Sequence, residues 1–128
     1  MYALVNDIEA YPTFLPWCHS VTVHHNDVET ARATIEVKRG PVQYAFTTFN
    51  RCIPNVNMRM QLVEGPFKNL EGEWRFEQLG EDACKISFHI EFEFKSKVLR
   101  MSLGPVFSKI MDSLMDAFVA RAQYIYGR

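Results

Sequence analysis

A chain of 128 residues, 48% apolar and 23% charged, has the size and balance of one globular domain spanning 1–128, with enough chain for a core of its own. Its net charge of −1 leaves no electrostatic footprint for DNA, which a strongly basic domain would carry. Cys18, Cys52 and Cys84 are odd in number and widely spaced, which argues against a disulfide framework or zinc site and suits a reducing, cytoplasmic setting.

In chain order, Met1–Ala10 reads as a helix already under way, with Leu4, Val5 and Ile8 on one side and no capping residue ahead of it. Tyr11-Pro12 is expected to end it, because the residue before proline is pushed out of the helical region. Thr13–Trp17 then reads as a turn whose bulky apolar groups tuck against the core.

Strands follow. Val21 and Val23 alternate with Thr22 and His24; Ala31, Ala33, Ile35 and Val37 alternate with Arg32, Thr34, Glu36 and Lys38. After Gly40-Pro41, the even positions Val42, Tyr44 and Phe46 are expected to face inward, although Phe49 breaks that parity. Three further runs alternate more strictly. Val56, Met58, Met60 and Leu62 form one; Leu70, Gly72, Trp74 and Phe76 the next; Cys84, Ile86, Phe88, Ile90, Phe92 and Phe94 the last. Nearly every odd residue between them is charged or polar, the mark of antiparallel strands with one face in water. Gly65-Pro66 and Gly80-Glu81-Asp82 supply turn chemistry.

Ser96 can cap a short helical turn through Leu103, and Gly104-Pro105 is expected to bend the chain into a long helix, Gly104–Tyr126, with Gly127 suited to stop it. In that helix Val106, Phe107, Ile110, Met111, Leu114, Met115, Phe118, Val119, Ala122 and Ile125 recur at the spacing of one helical face, opposite Lys109, Asp112, Asp116 and Gln123. A helix, a run of strands and a helix predict an α+β fold with the long helix laid across a curved antiparallel sheet. No apolar run reaches the ~18 residues of a transmembrane helix, and no signal peptide or repeat is evident.

An enzyme needs convergent ionisable groups on the inward face. Strand parity places only Tyr44, Thr48 and Cys84 there as polar candidates, none with an obvious partner, so no catalytic residue is assigned. Cys84 reads as a small buried hydrophobe. His24 and His25 are neighbours on a strand end, point apart, and do not chelate together, so no metal site is assigned. Glu71, Glu73 and Glu77, interrupted by Arg75, read as a solvated strand face. What remains is an apolar excess: Phe46, Met58, Met60, Trp74, Phe76, Phe88, Phe92 and Phe94 facing Phe107, Met111, Met115 and Phe118 of the helix. Each aromatic buries ~150 Å² or more, and methionines line adaptable apolar pockets. By composition alone, a solid core and a lined cavity both fit.

Asn6–Trp17 (NDIEAYPTFLPW), Gly65–Phe76 (GPFKNLEGEWRF), Phe92–Ser96 (FEFKS) and Phe118–Ala122 (FVARA) resemble motifs of the coenzyme Q-binding, START-like family of the polyketide cyclase superfamily, and the resemblance runs over essentially the whole chain. It implies a helix-grip fold, a seven-stranded antiparallel sheet around a long C-terminal helix with a hydrophobic tunnel between. It implies non-catalytic binding of ubiquinone or a similar polyisoprenoid lipid in support of respiratory electron transport, with no required cofactor. The ligand-binding candidates are then Phe46, Met58, Met60, Phe67, Trp74, Phe76, Phe88, Phe92, Phe107, Met111, Met115 and Phe118, with Phe67 and Gly65-Pro66 near the tunnel mouth. The implied setting is cytoplasmic, peripheral to the inner membrane. Other members are ribosome association toxins, which implies the large ribosomal subunit as an alternative partner. Cyclases of the wider superfamily carry inward polar groups that this sequence lacks. Family members also begin with a strand ahead of the position of Met1, so the first strand is expected to be missing here, leaving a sheet edge unpaired.

Overall fold

The computed structural model describes residues 2–81 and 84–126; the expectations on Met1, Asp82 and Gly127 lie outside the described residues. Six strands run β1 (Cys18–Asn26), β2 (Thr30–Arg39), β3 (Val42–Ile53), β4 (Asn57–Glu64), β5 (Phe67–Gln78) and β6 (Cys84–Phe94), each hydrogen-bonded to the next in one antiparallel sheet. The seventh strand that the resemblance implies is not among the described residues.

Register keeps the apolar residues of neighbouring strands on one face. Ile35 pairs with Phe46, Met58 with Trp74, Met60 with Gly72, and Trp74 with Phe88. A shift of one residue in any of these pairs would turn that strand's apolar set into water. Irregularities in β1 between Cys18 and Ser20 and between Val23 and His25, at Thr47–Thr48, and at Phe67–Asn69 bend strands locally, as bulges do. Gly65, at the entry to β5, is one place where glycine is required. Its φ is 155°, and a Cβ there would lie 2.8 Å from the Cβ of Phe46.

The even parity of β3 holds along its whole length. Phe46, Thr48, Asn50 and Cys52 turn inward, and Phe49 packs on the convex face with the Arg51 guanidinium 5.4 Å from its ring centre. The aromatic that breaks the pattern is an outer-face residue with its own partner, not a register change. Two terminal positions depart from expectation. Val56 lies in the β3–β4 turn and is exposed, and Cys84 is exposed at the start of the edge strand β6.

The N-terminal segment is three short pieces rather than one helix: α1 (Tyr2–Asn6), a 3-10 turn (Ile8–Ala10) and α2 (Tyr11–Phe14). Pro12 therefore starts a helical turn instead of ending one, since the first turn needs no N–H from it. Leu4, Val5 and Ile8 are buried as the sequence predicts, as are Leu15 and Trp17.

One continuous helix, α3 (Lys97–Tyr126), closes the concave side of the sheet, with Pro105 inside it. Ser96 is its N-cap, its Oγ accepting from the Leu99 N–H at 3.1 Å. Pro105 deprives the Met101 carbonyl of its helical donor, yet no bend ends the helix there. Leu99 and Leu103 on one side of the proline, and Phe107 and Met111 on the other, pack into a single cluster around Phe67, Leu70 and Phe94. That shared packing holds both halves against the same sheet. Phe107, Ile110, Leu114 and Phe118 are the buried face, whereas Val119 and Ile125, expected inward, are exposed. No helix among the described residues is long and apolar enough to cross a membrane.

Candidate functional site

Between sheet and helix lies an interior cavity of about 70 Å³. Its floor comes from β2–β6 through Ile35, Phe46, Met58, Met60, Trp74 and Phe88; its roof is Phe107, Met111 and Leu114 of α3. The N-terminal segment closes one side with Ile8, Tyr11 and Trp17. Both tryptophans of the chain therefore line it. Trp74 is held by Phe88 at 4.5 Å and by the edge of Phe118 at 5.2 Å between ring centres.

The cavity holds little as it stands. Its volume is well below the ~300–1,000 Å³ of small-molecule sites. The walls, however, include Met58, Met60 and Met111, flexible thioether chains that change shape at low cost. Gly72 leaves room beneath one of them: a Cβ at that position would lie 2.8 Å from the Met60 Cε.

Polar chemistry in the lining is sparse. Tyr11 donates its hydroxyl hydrogen to the Val5 carbonyl, and burial holds its pKa far above the ordinary phenol value. Asn50 is the exception. It is 3% exposed, its Oδ1 has no partner, and its Nδ2 meets only the Met58 sulfur, at 3.9 Å. A buried amide oxygen without a donor is costly and rare. Among the described residues no carboxylate, histidine, lysine or cysteine lines the cavity, and Tyr11 is the ionisable side chain that does. Tyr44, outside the lining, also keeps an unpartnered buried hydroxyl, whose pKa burial raises.

Of the residues singled out from the sequence, Phe46, Met58, Met60, Trp74, Phe88, Phe107 and Met111 come together around the cavity. Phe67, Phe76, Phe92, Met115 and Phe118 do not line it. Phe67 is buried and not at an opening of the surface: it is 1% exposed, stacked on Phe94 at 4.8 Å and hemmed in by Phe46, Phe92 and Phe107. Phe76 stacks beside Trp74 and meets the edge of Tyr2, while Phe118 wedges between Tyr11, Phe14 and Trp74. Met115 is half-buried against the main core. Asn50, Thr48 and the N-terminal wall also line it, with Ala33, Leu70 and Ile90 of the sheet. Continuing the even parity of β3 past Phe49 finds Asn50, but nothing local to the sequence brings Ile8, Tyr11 and Trp17 over the sheet.

The histidines are engaged elsewhere and separately. His24 hydrogen-bonds Thr34 at 2.7 Å and His25 hydrogen-bonds Asp27 at 2.9 Å, both on exposed surface. The acidic face of β5 is a surface ion-pair ladder, with Glu73 between Arg59 at 3.3 Å and Arg75 at 3.2 Å.

A curved antiparallel sheet gripping a long C-terminal helix around an apolar interior defines the helix-grip, START-like class. Residues 1–119 match the family described as polyketide cyclase / dehydrase and lipid transport, and the chain belongs to it. It is 39% identical to the ribosome association toxin RatA of Pseudomonas aeruginosa over 99% of this chain and 88% of that one. It is 32% identical to the mitochondrial coenzyme Q-binding protein COQ10 homolog B of Xenopus laevis, covering all of this chain and 54% of that one. Among solved structures it is similar to an 18 kDa protein of Caulobacter crescentus, at 34% identity and a TM-score of 0.72, over 98% and 87% of the two chains. The Zhui aromatase/cyclase of a Streptomyces species shares the fold at 14% identity, with a TM-score of 0.81, over 95% of this chain and 84% of that one.

Proposed function

We propose that this chain binds an isoprenoid-type lipid with a compact polar head, ubiquinone foremost, in the cavity under α3, and does no covalent chemistry on it. One observation carries the reading: an aromatic and thioether interior with a single unsatisfied amide, Asn50, and no acid–base pair. An apolar ligand bearing one hydrogen-bonding group satisfies that amide while its hydrocarbon replaces methionine contacts. An amide suits either redox form of a quinone, since its N–H groups donate to a quinone carbonyl and its oxygen accepts from a quinol hydroxyl. The small volume means that loading requires Met58, Met60 and Met111 to move aside, so association is expected to be slow. The relation to COQ10 homolog B supports this ligand class, and the setting it suits is cytoplasmic, at the surface of the membrane that holds the quinone.

The test uses the tryptophans in the wall. Titration with a water-soluble ubiquinone should quench the emission of Trp17 and Trp74 saturably, and native mass spectrometry of protein purified without denaturation should show a bound lipid. A protein free of lipid whose emission ignores ubiquinone would defeat the proposal.

A second reading is association with the large ribosomal subunit, favoured by the 39% identity that extends over 88% of the RatA sequence. It concerns the outer surface and is compatible with a filled cavity. Cosedimentation with purified large subunits tests it.

A further inference from the structure

The first turns of α3 are built against the usual preferences of a helix start. No acid stands in the first turn, and Lys97 begins it, where the positive end of the helix dipole disfavours a cation. Val98 is 75% exposed and Met101 68% exposed. At about 100° per residue, Arg100, Lys97, Met101 and Val98 fall within an arc of roughly 160°. Leu99 and Leu103 occupy the other side and join the cluster around Phe67 and Phe94. The helix start is therefore amphipathic twice over: one apolar face is inside, and a second apolar strip, Met101 and Val98, lies outside with Lys97 and Arg100 along one border.

The surroundings reinforce the charge. Lys68 of β5 and Lys95 beyond β6 line the same shallow surface depression as Lys97 and Arg100, and all four are exposed. Glu93 is the acid in that depression, and Asn69 donates to it at 3.4 Å. Among the described residues no ion pair engages any of the four cations; the ion pairs present involve His25, Arg59, Arg75 and His89. This local excess stands out in a chain whose net charge is −1.

We infer that the start of α3, with Lys68 and Lys95 beside it, is a docking surface for an anionic lipid bilayer. Aliphatic side chains bordered by a row of lysine and arginine are what a membrane interface takes: the chains enter the headgroup boundary and the cations meet lipid phosphate. A nucleic acid would share the cations, but single-stranded recognition also uses exposed aromatic faces for stacking. Here the exposed uncharged groups are valine and methionine, while of the aromatics in the depression Phe94 is buried and Phe92 half-buried. The inference is independent of what fills the cavity, because none of these residues lines it.

The experiment is cosedimentation of the whole chain with vesicles of phosphatidylcholine alone or mixed equally with phosphatidylglycerol. The wild type should bind the anionic vesicles, bind neutral ones far less, and release at high salt. Each cation at such a surface contributes about fivefold to affinity, so Lys97→Glu/Arg100→Glu should lose roughly 25-fold or more. Val98→Ser/Met101→Ser should weaken binding to anionic vesicles without changing its salt dependence. All four positions are exposed, so the variants should fold as the wild type does, the glutamate pair melting at the same temperature or slightly higher because acids suit the start of a helix, and any response of the tryptophan emission to ubiquinone should be unchanged. Wild-type protein that ignores anionic vesicles, or variants that bind them as well as wild type does, would overturn the inference. So would loss of large ribosomal subunit binding in these variants with vesicle binding intact, which would assign the patch to the ribosome.

Discussion

Replacing Asn50 with leucine should make the protein more stable and the cavity less useful. Asn50 is 3% exposed, its Oδ1 has no partner, and its Nδ2 finds only a thioether sulfur at 3.9 Å. Burying an amide without a proper hydrogen bond costs about 1–3 kcal/mol by mutational measures. Leucine has nearly the same shape, opens no new void, and meets the hydrocarbon of Met58 and its neighbours. Asn50→Leu should therefore stabilise the empty protein by about 1–3 kcal/mol, which for a chain of this length raises Tm by roughly 3–10 °C. Ligand binding should move the other way. A head group brought into the cavity would lose its partner and be stranded in hydrocarbon, a loss of about 1–3 kcal/mol, or roughly 5–150-fold in Kd. Thermal melts followed by circular dichroism and ubiquinone titrations followed by tryptophan emission measure the two halves. A lower Tm would mean that the amide is satisfied in the free protein and that the reasoning from an unpaired oxygen is wrong. A higher Tm with unchanged affinity would leave the cavity reading standing but remove Asn50 from it.

Phe118 and Met111 should separate packing from ligand capacity. Phe118 is 1% exposed and sits among Tyr11, Phe14 and Trp74, so Phe118→Ala should cost about 3–5 kcal/mol in urea unfolding. Met111 is half-buried at the cavity wall; Met111→Ala should cost about 2 kcal/mol, the low end for such truncations, and alter ubiquinone affinity at once. Gly65→Ala should destabilise by roughly 1–3 kcal/mol, since it combines a φ of 155° with a 2.8 Å approach to Phe46. Asp27 accepts from the backbone N–H groups of Thr30 and Glu29 at 2.8 and 2.9 Å, which lower its pKa from 3.8 to about 2. Its contribution to stability is complete above pH 3.8 and is lost as the pH falls towards 2, so Asp27→Asn should flatten that part of the acid profile in melts at stepped pH. Cys84 is exposed while Cys18 and Cys52 are buried, with the Cys18 thiol pushed up to about 11 by burial. A thiol reagent should label Cys84 rapidly in the native protein and the other two only after unfolding.

The sheet was legible because its side-chain period is two and its outer face is wet. From Met58 to Phe94, inward and outward residues can be assigned by parity, and the cross-strand pairs Met58 with Trp74 and Trp74 with Phe88 follow it. Terminal residues escaped the pattern because parity says where a side chain points, not whether anything covers it. Cys84 begins an edge strand and Val56 lies in a turn, and both are exposed. Phe49 concealed Asn50: an aromatic on the solvent side looks like a register change until its contact with Arg51 is seen. The proline in α3 misled for a different reason. A local rule predicts a bend, but Leu99, Leu103, Phe107 and Met111 are held to one cluster, and tertiary packing outweighs one missing hydrogen bond. The cavity itself had no signature in sequence. Phe67 and Phe107 are both aromatic and 1% exposed, yet only Phe107 borders the space.

That difference bears on how a ligand enters. Phe67, Phe92, Phe94 and Phe107 are packed ring against ring, with centres 4.6–6.1 Å apart, between the cavity and the outer turns of α3. Rings so closely fitted yield poorly to small displacements, because a dense interior resists deformation. The methionine side of the cavity yields more easily. Met60 lies over Gly72, where the missing Cβ leaves its terminal methyl unobstructed, and Met111 is only half-buried on the helix opposite. Expansion of the 70 Å³ space is therefore expected to begin with rotamer changes at Met60 and Met111, while the phenylalanine cluster keeps the start of α3 fixed to the sheet. A rigid aromatic end and an adaptable thioether end divide one interior between holding the fold and admitting a guest.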